Sequence, residues 1–226
     1  MIYFNNVSKI YEEGAAALEN VNLTVAAGEF VCVVGHSGAG KTTLIKMLLA
    51  EEPPTSGEVF FESQNVHKLR GGELAKLRRR IGTVFQDFKL LPSKTVYENI
   101  AFAMEAAGKA DEEIQSDVPH VLELVDLSDK HSRFPRQLSG GEQQRLSIAR
   151  AIINQPELIL ADEPTGNLDP VNAREIVEIL KKINELGTTV LLATHNREVV
   201  NTAAGRIVTL EKGKVVRDEK ERKMSA

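Results

Sequence analysis

The stretch that decides the fold spans residues 30–43 and reads FVCVVGHSGAGKTT. Its first five residues form a continuous apolar run that is too short for a helix and is typical of a strand covered on both faces. A glycine-rich segment follows, and helical periodicity extends over residues 43–50. A buried strand, a glycine-rich loop and a helix in this order predict an α/β fold with a parallel sheet.

The glycine-rich segment matches the pattern Gly-x-x-x-x-Gly-Lys-Thr over residues 35–42. Its glycines let backbone N–H groups wrap around an anion, and the positive end of the following helix attracts the same anion. We expect Lys41 to pair with the β- and γ-phosphates of a nucleoside triphosphate and the Thr42 hydroxyl to ligate Mg²⁺. The predicted phosphate-binding residues are Gly35, His36, Ser37, Gly38, Ala39, Gly40, Lys41, Thr42 and Thr43.

The base of the nucleotide is predicted to be adenine. Guanine-specific proteins with this loop generally carry Asn-Lys-x-Asp or Thr-Lys-x-Asp, and neither tetrapeptide occurs in the sequence. Tyr11 offers a ring that could stack on the base. A single tyrosine is, however, more often part of a core or a sheet edge.

Charged residues follow two further apolar runs, at 158–161 and 190–193. Asp162 and Glu163 come directly after the first run and are therefore expected at the carboxyl edge of the sheet, where open α/β folds bind ligands. Asp162 suits the Mg²⁺ shell, directly or through water, and Glu163 suits a base that takes a proton from an attacking water. The structural alternative for this pair is a charged helix cap or loop. His195 follows the second run, where it could contact the γ-phosphate or be an ordinary surface histidine.

A second helix terminus lies at residues 138–145, which read LSGGEQQR. Ser139 and Glu142 match a capping box, which gives the segment a structural explanation. Gly140 and Gly141 exceed what a cap needs and leave the backbone open to an external anion. Since the chain already has one phosphate loop, this terminus could bind a phosphate held by a second copy; the segment alone does not decide between the two explanations.

The rest of the chain indicates one large domain with an inserted subdomain. Residues 1–86 and 156–226 are predicted to form the α/β core, with a small antiparallel sheet from the alternating segments 3–7, 18–25 and 58–62. Residues 87–155 have mainly helical patterns, including 96–107 and 111–125, and form the predicted helical subdomain. Residues 207–210 and 214–217 suggest a hairpin, and residues 218–226 a charged, mobile tail.

Composition limits the possible functions. The chain has 226 residues, of which 42% are hydrophobic and 27% charged, as in ordinary globular proteins. Its net charge of −4 is poor for a dedicated nucleic-acid binder, so no nucleic-acid partner is expected. The single cysteine, Cys32, excludes an internal disulfide and fits a buried strand. No apolar run approaches the ~20 residues that cross a bilayer, so we expect any membrane contact to come through a partner.

Together these motifs resemble those of the ATP-binding-cassette (ABC) ATPases over nearly the whole chain. Residues 35–43 look like the Walker A motif, 138–145 the signature, 158–163 the Walker B motif and 166–169 the D-loop. Gln86 and His195 look like the Q-loop glutamine and the switch histidine.

The resemblance to ABC ATPases implies roles for single residues. It implies that Tyr11 stacks on adenine, that Gln86 senses the metal and couples to a partner, and that Glu163 is the catalytic base. His195, as the switch histidine, and Gln86 complete the implied catalytic residues. It also places Ser139, Gly140, Gly141 and Asp169 at the nucleotide, Ser139 and Gly141 binding the γ-phosphate held by the other subunit. The implied assembly is a head-to-tail homodimer that closes on two ATP molecules with Mg²⁺.

Within the family, residues 161–169, ADEPTGNLD, resemble the branch that contains lipoprotein-release, macrolide-efflux and cell-division ATPases. Residues 66–70, 81–91 and 94–99 are closer to the cell-division members. That resemblance implies a peripheral ATPase at the cytoplasmic face of the cell membrane, bound to a polytopic membrane protein. An export ATPase is the alternative, and a regulatory ABC protein acting on DNA or ribosomes is a third interpretation. His36 stands where the family usually has Pro, and Thr42 where Ser is commoner.

Two more segments bear on partners. Residues 68–80 carry six Lys and Arg side chains against one acidic residue, Glu73. This pattern fits a solvated helical face, or a contact with anionic lipid at about 1 kcal/mol per charge. The apolar side chains around Gln86 belong either to the core or to a groove for a partner helix; they are Phe85, Phe88, Leu90 and Leu91.

Overall fold

A computed structural model describes residues 1–11 and 14–219. The strands in these ranges are β1 (Ile2–Ile10), β2 (Ala16–Val25), β3 (Phe30–Val34), β4 (Ser56–Phe61), β5 (Gln64–Asn65), β6 (Ile81–Phe85), β7 (Leu158–Asp162), β8 (Thr189–Thr194), β9 (Arg206–Glu211) and β10 (Lys214–Glu219). The α-helices are α1 (Lys41–Leu48), α2 (Gly71–Arg79), α3 (Val96–Ala107), α4 (Asp111–Leu124), α5 (Gly140–Ile152), α6 (Pro170–Glu185) and α7 (Arg197–Ala203).

The larger sheet has six strands in the order β10-β9-β3-β8-β7-β6. All neighbouring strands are parallel except β10, which pairs antiparallel with β9. Val34 pairs with Thr194, and Asp162 pairs with Ala193. The carboxyl ends of β3, β8 and β7 therefore meet at one edge of the sheet, as the sequence predicts for parallel strands.

The smaller sheet is antiparallel and has the order β2-β1-β4-β5. Its buried face carries Phe4 and Phe61, which share one apolar core with Leu44 of α1 and with Val31 and Leu160 of the larger sheet. The helix that follows the glycine-rich loop is thus fixed between two sheets. The predicted combination of a parallel core and an antiparallel β subdomain is confirmed.

Helix α5 connects the larger sheet to the other helices. Its Ile148 and Ile152 belong to the core on the second face of the sheet, which also contains Val84. Its Leu146 and Ala149 belong to a separate core that α3 and α4 complete. A shift of α5 would therefore change both the sheet contact and the packing of the helical region.

Several details were not predicted. Strand β6 was not predicted because Gly82 interrupts its apolar run. A Cβ at Gly82 would lie 2.5 Å from the Ala151 carbonyl oxygen, so β6 and α5 can pack together only with glycine at this position. The predicted tail is wrong at Asp218 and Glu219, which extend β10. Arg206 stabilises this strand end, because its Nη2 lies 2.6 Å from Asp218 Oδ2. Residues 220–226 lie outside the described residues.

Two predictions concern burial and membranes. Cys32 is fully buried in β3, and burial raises the pKa of its thiol to about 12. Its predicted structural role agrees with this burial. Over residues 1–11 and 14–219, no helix has the length and apolar character that a membrane span requires.

Candidate functional site

The glycine-rich loop joins β3 to α1 at the carboxyl edge of the sheet. Gly40 precedes the helix with φ 106°, and no side chain in the described part of the chain caps the helix start. A Cβ on Gly40 would lie 2.4 Å from the Ala17 carbonyl oxygen, and one on Gly35 would lie 2.4 Å from that of Leu210. Glycine is therefore required at both ends of the loop. The first amides of α1 therefore have no side-chain cap, and such amides are suited to bind an anion.

Lys41 lies over this loop with its side chain only 6% exposed. Its ammonium group donates to the carbonyl oxygens of Gly35 at 2.8 Å and His36 at 3.2 Å. The same Nζ is 3.3 Å from Glu163 Oε1. The structure thus places a buried positive charge between the phosphate loop and the predicted base.

Glu163 contacts two other predicted site residues, Lys41 and His195. It follows β7 with φ 48°, and its N–H donates to the Ala193 carbonyl oxygen at 2.9 Å. Its Oε1 is 2.8 Å from His195 Nδ1, and its Oε2 accepts from the His195 N–H at 3.3 Å. The His195 side chain is 62% exposed. One carboxylate is therefore oriented by Lys41 at the start of α1 and by His195, which follows β8.

Asp162 provides a test of whether the chain fits Mg²⁺. Among the described residues its buried Oδ1 has no hydrogen-bond partner, and the Thr42 hydroxyl lies close enough to the carboxyl group to lower its pKa. Burial raises the pKa of this carboxyl group, the neighbouring Glu163 charge adds to the rise, and Thr42 and Lys41 oppose it. A buried oxygen without a partner beside a hydroxyl suits a small, hard cation. The described residues contain no group of three or more His, Cys, Asp or Glu side chains that could hold a metal. Mg²⁺ at this place would therefore take most ligands from phosphate and water.

Gln86 follows β6 and reaches across the sheet edge. Its Nε2 donates to Asn167 Oδ1 at 3.0 Å, and Asn167 Nδ2 donates to the Gln86 carbonyl oxygen at 3.1 Å. Both residues line a cavity of about 690 Å³ with Thr42, Asp162 and Glu163. Asn167 was not among the predicted site residues, although its place in the segment 166–169 was a usable signal.

Ser139 forms the predicted capping box at the start of α5. Its Oγ accepts from the Glu142 N–H at 3.3 Å, and its own N–H donates to Glu142 Oε2 at 2.7 Å. Gly141 is buried, and a Cβ there would lie 2.0 Å from Asn172 Oδ1. At Gly140 the nearest atom, on Leu168, would be 3.4 Å away. Gly141 therefore has a packing role between α5 and α6 that the sequence pattern did not reveal.

The second helix terminus lies apart from the phosphate loop. Among residues 1–11 and 14–219, no hydrogen bond or ion pair joins 139–141 to 35–43. Asp169 caps α6, because its Oδ1 accepts from the N–H groups of Val171 at 3.0 Å and Asn172 at 3.1 Å. These bonds hold the pKa of the Asp169 carboxyl group below its usual range.

Tyr11 lies just after β1, with its ring partly exposed. The ammonium group of Lys9 is 5.0 Å from the ring centroid, and it also bonds to the Pro53 carbonyl oxygen at 2.9 Å and to Glu52 at 3.0 Å. A fixed cation therefore supports one face of the ring.

The basic segment 68–80 is largely engaged within the chain. Arg78 Nε donates to the Leu49 carbonyl oxygen at 3.0 Å, and Arg80 lies 2.6 Å from both Glu62 and Glu157. Lys68 pairs with Glu58 at 3.0 Å. These contacts favour a helical face that stabilises the fold over a lipid contact.

Comparison with known proteins identifies the family to which the chain belongs. Residues 18–166 match the ABC transporter family. The chain belongs to the ABC transporter family. It is 51% identical over 219 residues to the cell division ATP-binding protein FtsE of Bacillus subtilis, covering 97% of this chain and 96% of that protein. It is 52% identical over 220 residues to FtsE of Mycobacterium tuberculosis, with the same coverage, and 44% identical over 213 residues to FtsE of Escherichia coli, covering 94% and 96%.

Solved structures agree with this assignment. A dimeric post-hydrolysis state of the ATP-binding cassette MJ0796 bound to ADP and Pi has a TM-score of 0.88 and 41% identity, covering 98% of this chain and 99% of that one. The cbiO1 protein of Clostridium perfringens, part of the ABC transporter complex cbiONQ, has a TM-score of 0.89 and 28% identity, covering 97% and 88%. The resemblance to ABC ATPases, and to their cell-division members, is confirmed.

Proposed function

We propose that this chain is an FtsE-like ATPase subunit that binds ATP with Mg²⁺ and works as a head-to-tail homodimer. In this proposal it drives a polytopic, FtsX-like membrane protein at the cytoplasmic face of the cell membrane and relays motion to cell-wall hydrolases during division. One observation carries the chemical part: Lys41, Glu163 and His195 meet above a phosphate loop at one sheet edge. The identity of about half to proteins named for cell division, over nearly the full length, supports the biological part.

Each of the site residues has a separate role in the proposed ATP hydrolysis. The amides of the loop and Lys41 hold the β- and γ-phosphates, so the γ-phosphate faces Glu163. A Glu163 carboxylate oxygen accepts the proton of the attacking water, and His195 keeps that carboxylate oriented through Nδ1. Thr42 and Asp162, with Gln86 nearby, would hold Mg²⁺, which would supply positive charge against the phosphate oxygens. Tyr11 stacks on the adenine.

The proposed dimer rests on a helix terminus that is suited to an anion but that, among the described residues, is not in contact with the phosphate loop of its own chain. Ser139, Gly140 and Gly141 form a helix terminus suited to an anion, yet no described contact ties them to the phosphate loop of their own chain. A second copy in head-to-tail orientation would place this terminus on the γ-phosphate held by the first. Asp169 stabilises the start of α6 as its N-cap. The structural relative bound to ADP and Pi is itself dimeric.

Substituting Glu163→Gln tests the chemical part. The amide keeps the size of the side chain but cannot accept a proton, so we expect steady-state phosphate release to fall by about a hundredfold or more while ATP binding persists. Glu178→Gln, at a surface carboxylate that pairs with Lys181, is the matched control and should behave as the unmodified chain. Unchanged turnover in Glu163→Gln would remove Glu163 as the base.

The membrane partner needs its own experiment. The alternative function is the ATPase subunit of a lipoprotein-release or macrolide/peptide exporter. Affinity purification from a detergent-solubilised membrane of the source organism, followed by mass spectrometry, distinguishes them: we expect an FtsX-like protein to be retained in the presence of ATP. Retention of an export permease instead would favour the alternative.

A further inference from the structure

The segment after Gln86 has an unfavourable backbone that another part of the chain holds in place. Phe88 has φ 58° and Lys89 has φ 51°, although neither is glycine. Left-handed conformations are unfavourable for residues with a Cβ and persist where surrounding groups impose them. Arg150, near the end of α5, provides such groups. Its Nη1 donates to the Lys89 carbonyl oxygen at 2.6 Å and its Nη2 to the Phe88 carbonyl oxygen at 3.2 Å.

Among the described residues, Arg150 has no charged partner that would explain its partial burial. Its described hydrogen bonds go to these two carbonyl oxygens, and no carboxylate pairs with it within residues 1–11 and 14–219. Burial lowers the pKa of its guanidinium group. A partly buried cation without a counter-ion is costly, and an apolar side chain would fill the same helix position without that cost. What the arginine provides, and an apolar side chain could not, is the pair of hydrogen bonds to the carbonyl oxygens of Phe88 and Lys89.

Two more side chains fix the same segment at its ends. Gln144 of α5 is fully buried, and its Nε2 donates to the Phe85 carbonyl oxygen at 3.3 Å. Asn99 of α3 is also fully buried; its Oδ1 accepts from the Leu91 N–H at 2.8 Å, and its Nδ2 donates to the Leu91 carbonyl oxygen at 3.1 Å. Gln86 lies between these anchors and turns toward Asn167. Its position therefore depends on the helices that hold residues 85–91.

Helix α5 carries Arg150 and the terminus at Ser139 on one rigid element. Thirteen helical residues span about 20 Å, and their apolar side chains are packed on both sides. An interaction at the start of α5 that moves the helix must therefore also move the two carbonyl oxygens that Arg150 holds.

We propose that Arg150 is a positioning residue for ATP hydrolysis: by holding the Phe88 and Lys89 carbonyl oxygens it makes the position of Gln86 follow the position of α5. This inference rests on the proposed ATPase function and deepens it. Arg150 touches no nucleotide in this mechanism and acts through Gln86. When the γ-phosphate held by the second copy binds at Ser139, α5 moves. Through Arg150 this movement changes the position of Gln86 in the chain's own ATP site.

A double-mutant cycle on the full chain tests this. Arg150→Met keeps the length and apolar stem of the side chain, and we expect kcat for ATP with Mg²⁺ to fall about tenfold while KM changes less than about twofold. We also expect Gln86→Ala to lower kcat by itself. In the Gln86→Ala background, Arg150→Met should cause almost no further loss, because the residue through which it acts is gone. Multiplicative losses in the double variant would overturn the proposal.

Controls separate positioning from folding. Arg79→Met removes an arginine that donates to the Ala106 carbonyl oxygen at 3.3 Å, away from the segment 85–91, and should leave kcat unchanged. Arg150→Lys, whose ammonium group can reach one carbonyl oxygen, should recover part of the lost kcat. If Arg150→Met does not fold, Arg150→Lys carries the same cycle, and an equal loss with and without Gln86 would overturn the inference.

Amide hydrogen exchange gives a second readout. Arg150→Met should increase exchange across residues 86–91 and Arg79→Met should not; equal exchange in both would also overturn the proposal. The two hypotheses fail differently. Loss of turnover in Glu163→Gln upholds the proposed function even if the Arg150 cycle is multiplicative, whereas unchanged turnover there removes the function itself.

Discussion

At the residue scale, the partly buried carboxyl group of Asp162, whose Oδ1 is buried, is a cost to the fold that the site requires. Burial raises its pKa above the ordinary aspartate value, and one of its oxygens has no partner. The native chain therefore binds a proton at a pH where the unfolded chain has lost it. The resulting stability is complete below the ordinary value of about 3.9 and is lost as the pH rises through the raised value.

Asp162→Asn should remove this cost and the function together. Near neutral pH we expect a higher free energy of unfolding for the nucleotide-free variant, with loss of Mg²⁺-dependent turnover. The gain should shrink on acidification and vanish below a pH of about 4. Urea unfolding at several pH values measures it. Asp129→Asn, at an exposed position, controls for removal of one negative charge; an equal gain there would show that burial of Asp162 is not the cause.

At the element scale, the contact between α5 and α6 depends on one missing Cβ. A Cβ at Gly141 would lie 2.0 Å from Asn172 Oδ1 and 2.6 Å from its Cγ. We expect Gly141→Ala to lower the free energy of unfolding by about 2 kcal/mol, because overpacking forces the two helices or the Asn172 side chain to shift.

Two further variants separate the clash from a general effect of alanine. In Gly141→Ala with Asn172→Ala, the two closest atoms, Oδ1 and Cγ, are gone and only the Asn172 Cβ at 3.2 Å remains, so the two losses should not add. Gly140→Ala meets only ordinary contact with Leu168, so we expect no loss, or a gain of up to about 1 kcal/mol from better helix propensity. Thermal and urea unfolding of the purified chain would show the order. A loss at Gly140 as large as at Gly141 would contradict the packing argument.

Also at the element scale, the sequence was sufficient where a pattern is local. The strand, the loop and the helix over residues 30–50 are predictable because the apolar run, the glycines and Lys41-Thr42 follow one another directly in the sequence. The meeting of Lys41, Glu163 and His195 is predictable since parallel strands end at one edge. The role of Gly141 against Asn172 and that of Arg150 against Lys89 depend on distant segments that pack together. No pattern within one segment reveals such contacts.

At the scale of the whole molecule, the remaining hypothesis is that two copies share each ATP. The Glu163→Gln variant should retain ATP, so with ATP and Mg²⁺ we expect a dimer by size-exclusion chromatography with light scattering, and a monomer with ADP. Ser139 permits a sharper test, because its side chain caps α5 and is also expected to face the partner's γ-phosphate.

Aspartate and asparagine are both good N-cap residues, so each should preserve the start of α5 at position 139. Only aspartate places a negative charge against the triphosphate of the partner. In the Glu163→Gln background, Ser139→Asp should therefore stay monomeric with ATP, whereas Ser139→Asn should dimerise at least in part. Because the two variants differ in charge and hardly in size or capping, the contrast reports whether a phosphate approaches this helix terminus. Dimers of equal stability in both would mean that the copies meet without sharing ATP, and the assignment of Ser139, Gly140 and Gly141 to the nucleotide would then be wrong.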